Sequence, residues 1–174
     1  MSSLQEIVLT LPDGSTRAVP AGTTPLAVAA SIGPRLAKDA LGAELDGTRI
    51  DLRLPLTRGG SFKLFTVKSA EAGDFVRHSA EHVLADAVRR LWPEAEYDAG
   101  RQDHSEKFQY DFRFSRAFTP EDLEAIEAKM KEILAEDAPF ERVEVSREEA
   151  ERIFREMGFT LKLERLKEIG RAHV

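Results

Sequence analysis

Apolar residues crowd into Ile7-Val8-Leu9-Thr10-Leu11, a short run that predicts a strand. Pro12-Asp13-Gly14-Ser15 has the residues of a turn, and residues 16–19 return as a second strand. Thr23-Thr24-Pro25 predicts a helix start: a hydroxyl N-cap followed by proline at the first helical position. Leu26, Ala29 and Ala30 share one face of that helix, and Gly33-Pro34 stops it. Residues 41–45 and 49–52 read as two strands joined at Asp46-Gly47, a favoured hairpin turn. Residues 61–67 alternate Phe62, Leu64 and Thr66 against Ser61, Lys63 and Phe65, the period of one more strand. This order predicts a small mixed sheet wrapped on one helix.

Beyond residue 67 the spacing turns helical. Over residues 72–92, Val76, Ala80, Val83, Leu84, Ala87, Val88 and Leu91 recur at helical intervals and form a single apolar stripe. Asp74 is the expected N-cap and Pro93 the stop. Residues 107–114 alternate Phe108, Tyr110, Phe112 and Phe114 against polar partners, which predicts a strand whose aromatic side is core. Thr119-Pro120-Glu121-Asp122 opens a helix with Leu123, Ile126, Met130, Ile133 and Leu134 as its apolar face. Residues 140–145 predict a strand. Ser146 and Glu149 form a capping box for a helix carried by Ala150, Ile153, Phe154 and Met157 to Gly158. Residues 159–163 alternate once more, as a strand would.

Composition narrows the classes. The 174 residues are 42% hydrophobic and 32% charged, which suits a globular protein and excludes a disordered tail. No apolar run approaches the roughly 20 residues of a membrane helix, and no signal peptide precedes the first strand. Cysteine is absent, so disulfides, thiolate zinc sites and cysteine nucleophiles are excluded, and a cytosolic setting is expected. The net charge is −6, unevenly spread: residues 1–66 carry +1 and residues 67–174 carry −7. That shift agrees with a division into modules at residues 1–66 and 67–174. The first module has no histidine and no phosphate-binding glycine loop, so it reads as a binding or docking module.

The candidate chemistry lies in the second module. His78 and His82 are four residues apart, so their rings stack on one helix face, some 160° from the centre of the apolar stripe. Either this is a solvated polar face or it meets a ligand; Phe75 and Ala85 share it and suggest a cleft wall. Two imidazoles at this spacing can orient a water and accept its proton, or share a metal. The stretch is not the zinc-protease pattern, because Ser79 follows His78 and Glu81 precedes His82. Zinc through His78 and His82 would need further ligands from carboxylates or from His104 or His173, so no cofactor is expected.

Arg77-His78-Ser79-Ala80-Glu81-His82-Val83-Leu84, followed by Leu91-Trp92-Pro93, resembles the editing domain of bacterial threonyl-tRNA synthetases, which shares ancestry with alanyl-tRNA editing proteins. Leu11-Pro12-Asp13-Gly14, Ala21-Gly22-Thr23-Thr24 and Asp51-Leu52-Arg53-Leu54-Pro55-Leu56 resemble the TGS domain that precedes it in that family. The resemblance implies an α+β protein: a ubiquitin-like β-grasp domain over residues 1–66, then a two-layer α/β editing-like domain over residues 67–174, truncated, with a central H-x-x-x-H helix. Phe108, Tyr110, Asp111 and Phe112 fit the family's aromatic strand, and Gly158 and Lys162 stand at its glycine and lysine near the pocket.

The activity that the resemblance implies is ester hydrolysis: removal of serine wrongly attached to the 3′-terminal ribose of the tRNA for threonine. His78 and His82 would orient the seryl ester and water, with Lys162 as electrostatic helper. The family completes its pocket with Cys-x-x-x-His; here His173 matches the histidine and Ile169 stands at the cysteine position. The polar stretch Arg101-Gln102-Asp103-His104-Ser105-Glu106 replaces a glycine-rich loop. The synthetase's catalytic and anticodon-binding domains are not in this sequence, so neither aminoacylation nor an ATP site is expected of it. The expected partners are the 3′ end of an aminoacyl-tRNA and a synthetase catalytic chain, and neither DNA nor a membrane. The alternatives are a non-catalytic paralogue that binds tRNA, a synthetase or the ribosome, and an N-terminal piece of a full threonine–tRNA ligase.

Overall fold

The computed structural model describes residues 5–100, 102–141 and 143–168, and the chain folds as two compact units, Met1–Val76 and Arg77–Val174. The division falls inside a long helix, ten residues beyond the sequence-based boundary. The structure is α+β.

The first unit is built on a five-stranded mixed sheet in the order β2-β1-β5-β3-β4. β1 (Glu6–Thr10) and β2 (Thr16–Pro20) form an antiparallel hairpin whose turn is closed by Gly14, at φ 80°, and by Asp13, whose carboxylate accepts from the Ser15 amide at 3.0 Å. The chain then enters α1 (Pro25–Ile32), capped by Thr24 as its sequence predicts: the side-chain oxygen accepts from Ala27 N. Gly33 ends α1, but Pro34 starts a second short helix, α2 (Pro34–Asp39), since proline stops one helix and suits the first position of the next. β3 (Ala40–Leu45) and β4 (Thr48–Ile50) pair through Asp46 and Gly47, both left-handed at φ 50° and 79°, as a tight hairpin turn requires. β5 (Gly60–Thr66) lies centrally, parallel to β1 and antiparallel to β3. The core between sheet and helix holds Leu9, Val28, Ala43, Leu45 and Phe62.

The other face of β5 is covered locally. Phe65 is buried and meets Phe75 with ring centroids 5.3 Å apart, and the Arg49 guanidinium sits 5.3 Å from the Phe75 ring. Phe75 therefore packs on the sheet rather than lining a cleft with the histidines. Asp74 is not the N-cap either: the helix starts at Ala72, and the Asp74 carboxylate pairs with Arg49 at 3.2 Å. Gly42 makes room for this arrangement, because a Cβ there would overlap the Phe75 ring. Gly42→Ala is expected to destabilise the protein by about 1–3 kcal/mol, the usual range for overpacking. Equilibrium urea unfolding checks this, and an unchanged midpoint would refute it.

In the second unit, α3 (Ala72–Leu91) is followed by an antiparallel pair, β6 (Glu96–Gly100) and β7 (Tyr110–Arg113), and by α4 (Pro120–Ala135), α5 (Arg147–Glu156) and α6 (Thr160–Glu168). Its core joins Ala87, Val88, Ala95 and Ile126 to Leu91, Trp92, Phe112, Phe114 and Phe118. Phe114 stacks on Phe118 at 5.4 Å, and both contact Trp92 at 5.7 Å. α4 opens at Thr119 as expected and carries a capping box, with Thr119 Oγ1 accepting from Asp122 N and the Asp122 carboxylate accepting from Thr119 N. Ile126, Met130 and Ile133 face this core, while Leu123 and Leu134 lie exposed.

Several expected elements differ. The aromatic strand begins only at Tyr110, because the Gln109 amide donates to the Glu81 carboxylate at 3.1 Å and the pairing register breaks between Tyr97 and Gly100. Phe108 is thus exposed and Tyr110 half-buried, its ring between Tyr97 and Phe112 at 5.5 and 5.7 Å. The described residues of 140–145 form no strand, and Phe140 and Val143 stand exposed. Residues 160–168 are helical, not extended. Five alternating residues cannot separate the two periods, and the burial of Leu161, Leu166 and Phe159 is met by a helix that follows Gly158. Gly158 is left-handed at φ 71° and ends α5. Among the described residues, no helix is long and apolar enough to cross a membrane.

Candidate functional site

α3 is not a one-stripe helix. Val76, placed in the stripe by its spacing, is 60% exposed, whereas Glu81 and Ala85, on the histidine side, are buried. The β6–β7 segment covers that side. Glu81 is the buried charged residue of the described core at 3% exposure, and its carboxylate is fully engaged: Oε1 accepts from Gln109 N, and Oε2 lies 3.1 Å from His104 Nε2. The carboxylate occupies the space a side chain at position 100 would take, so glycine there lets it sit where it does, and the reason is this close approach rather than the backbone angles.

Three imidazoles form a row beside it. His78 Nε2 lies 3.4 Å from His82 Nε2, and His78 Nδ1 lies 3.4 Å from His104 Nε2. Both ring pairs meet edge to face, with centroids 4.9 and 4.7 Å apart. His104 arrives from the polar loop after β6. That loop is held by Arg77, which donates through Nε to the His104 carbonyl and through a terminal nitrogen to the Ser105 carbonyl at 2.7 Å. Partial burial, reinforced by His104, holds the His78 pKa below the ordinary imidazole value. Partial burial, with His78 next to it, does the same for His82. His82 stays accessible, with the Phe140 ring 5.8 Å away.

Lys162 comes from α6. Its ammonium donates to the Asp98 carbonyl on β6 and lies 3.5 Å from the Tyr110 hydroxyl. Burial lowers its pKa, and burial pushes the Tyr110 phenol up to about 12, helped by Tyr97 and Glu81, so the phenol keeps its proton at neutral pH. α6 is anchored to β6 by Arg165, paired bidentately with Asp98 at 2.6–2.7 Å, and by Glu96, which accepts from Leu161 N. Arg89 lies 4.2 Å from the Phe159 ring and donates to the Met157 carbonyl at 2.9 Å, fixing the turn before α6.

Of the sequence-predicted site residues, His78 and His82 are adjacent. Lys162 lies in the same unit with its charge acting on His82. His173 and Ile169 lie outside the described residues. Glu81, His104 and Tyr110 join the site without having been assigned to it. Glu81 had a signal, since position i+3 from a histidine shares its helix side. His104 was named only as a possible further zinc ligand, and its place beside His78, 26 positions away, is set by tertiary structure.

Residues 7–66 match the TGS domain family model. Over 167 residues, 96% of this chain, the chain is 42% identical to a threonine–tRNA ligase of Citrifermentans bemidjiense and covers 26% of it. It is 46% identical over 158 residues to that of Symbiobacterium thermophilum (91% of this chain, 24% of the relative). It is 45% identical over 157 residues to that of Nitrosococcus oceani (90% and 24%). The chain thus spans about a quarter of the length of the curated relatives it matches. The mixed β-grasp sheet of the first unit and these matches together lead to one statement: the chain carries a TGS domain and is homologous to the N-terminal region of threonine–tRNA ligases.

Proposed function

We propose that the second unit hydrolyses serine wrongly esterified to the 3′-terminal ribose of the tRNA for threonine, with the TGS domain as a docking module. The observation that carries this reading is the row of His82, His78 and His104 along α3, with the Lys162 ammonium nearby, in a chain homologous to threonine–tRNA ligases. Ester hydrolysis adds water to the carbonyl carbon, breaks the bond to the ribose oxygen and returns a proton to that oxygen. It needs a proton acceptor beside the water and a positive group beside the oxyanion. His82 offers an accessible ring nitrogen, His78 orients that ring through the 3.4 Å contact, and Lys162 is the positive group. The selectivity has a physical motive. Serine lacks one methyl of threonine, and a single pocket gains only about 1–3 kcal/mol from that difference, so a second site raises fidelity.

The test uses the 174-residue chain with seryl-tRNA and threonyl-tRNA of threonine specificity. Serine is expected to be released and threonine spared. Decay of the seryl ester at the rate seen in buffer alone would overturn the reading. If the tRNA is then still retained by the protein, the non-catalytic binding role takes its place. The reading is the same whether the region acts alone or inside a longer ligase, where a synthetase catalytic domain would be its partner.

A further inference from the structure

The three polar groups at the inner end of the histidine row are spaced for a cation. His78, Glu81 and His104 each offer one ligand atom, and these atoms lie within 4.8 Å of one another. A zinc ion bound tetrahedrally at about 2.0–2.1 Å sets its ligand atoms about 3.3–3.4 Å apart. The His78 Nδ1 to His104 Nε2 distance is 3.4 Å, and His104 Nε2 to Glu81 Oε2 is 3.1 Å. Both distances lie close to that spacing. The third edge, at most 4.8 Å, needs about 1.5 Å of side-chain closure to match.

The surroundings are those of a supported ligand set. Glu81 Oε1 is held by the Gln109 amide, and Oε2 faces His104 Nε2 at 3.1 Å. His78 reaches His104 through Nδ1 while its Nε2 faces His82, so a proton on Nε2 bonded to His82 leaves Nδ1 as a lone-pair donor. Arg77 fixes the backbone of His104 and Ser105. Burial of Glu81 makes a divalent charge favourable there, since a carboxylate removed from water gains most from a cation.

We infer that His78, Glu81 and His104 form a zinc site with two imidazoles and one carboxylate, leaving a fourth position open to water. This donor set suits zinc, and three protein ligands with one vacancy is the arrangement of reactive rather than purely structural zinc. The set differs from the His78 and His82 pair that the helix spacing alone suggests, because His104 and Glu81, not His82, face the ion. The inference does not rest on the hydrolytic reading, and its test needs no tRNA.

The experiment is titration of chelator-treated full chain with zinc alone against a chromophoric competitor, with cobalt substitution to read coordination number from the visible bands. One equivalent is expected to bind, with a four-coordinate cobalt spectrum. His104→Ala is the main variant, since it lies in a loop; Glu81→Gln is the second, since it keeps the shape of the buried acid. Each is expected to weaken binding at least about tenfold, while His82→Ala, which removes only a supporting contact, costs less than His104→Ala. Circular dichroism of each variant establishes that it is folded. Absence of a stoichiometric ion in the wild-type chain would overturn the inference. So would a folded His104→Ala chain that binds as tightly as wild type, or loss of binding in His82→Ala alone.

Discussion

His82→Ala is expected to lower serine release from seryl-tRNA by at least about 100-fold, because a positioned proton acceptor contributes about 10²–10⁴-fold. The substitution is clean. His82 is accessible, and the contacts described for it are the His78 ring nitrogen at 3.4 Å and the Phe140 ring. Folding is therefore expected to change by less than about 0.5 kcal/mol, as at surface positions generally. The rate and the stability thus separate, which a merely structural role would not allow. The double variant with His78→Ala is expected to be about as slow as either single variant, since groups that act as one unit are not additive. Single-turnover release with excess protein gives the rate, and a His82→Ala rate within about threefold of wild type would refute the assignment.

Phe62→Ala is expected to cost about 3–5 kcal/mol, the range for removing a buried aromatic ring. Phe62 is 1% exposed on the central strand β5 and packs with Leu9, Val28 and Leu45, so the missing ring leaves a hole that neither sheet nor helix can close without breaking the pairing of β5 with β1 and β3. Set against a typical domain stability of about 5–15 kcal/mol, the loss threatens folding of the whole first unit. Urea unfolding followed by far-ultraviolet circular dichroism is the measurement, because the single tryptophan, Trp92, belongs to the second unit's core and does not report on this one. A loss under about 1 kcal/mol would mean that Phe62 is not central to the core.

The β-grasp unit was legible almost strand by strand. Its elements are short, their period is two, and turn residues such as Asp13-Gly14 and Asp46-Gly47 mark the boundaries. The second unit was harder for a physical reason. Its segments take their structure from tertiary contacts that no local pattern carries. Glu81 takes the Gln109 amide out of the strand, the alternating segment after Gly158 buries Leu161 and Leu166 in a helix, and the described residues of 140–145 have the composition of a strand but form none. The same divide runs through the site. His78 and His82 follow from helical spacing and Lys162 from the family resemblance, while His104, one possible further ligand in the sequence, is placed beside His78 only by the folded loop. Phe75, which shares the histidine face on a helical wheel, serves the sheet instead, because Gly42 opens a seat for its ring.

The close approach of Glu81 to Gly100 binds two distant positions to a shared fate. Alanine at 100 would put its Cβ on the Glu81 carboxylate, which must shift, disturbing the tie to Gln109 and the contact with His104. A side chain at 100 and the acid at 81 therefore compete for one space, so a change at either position is felt at the other.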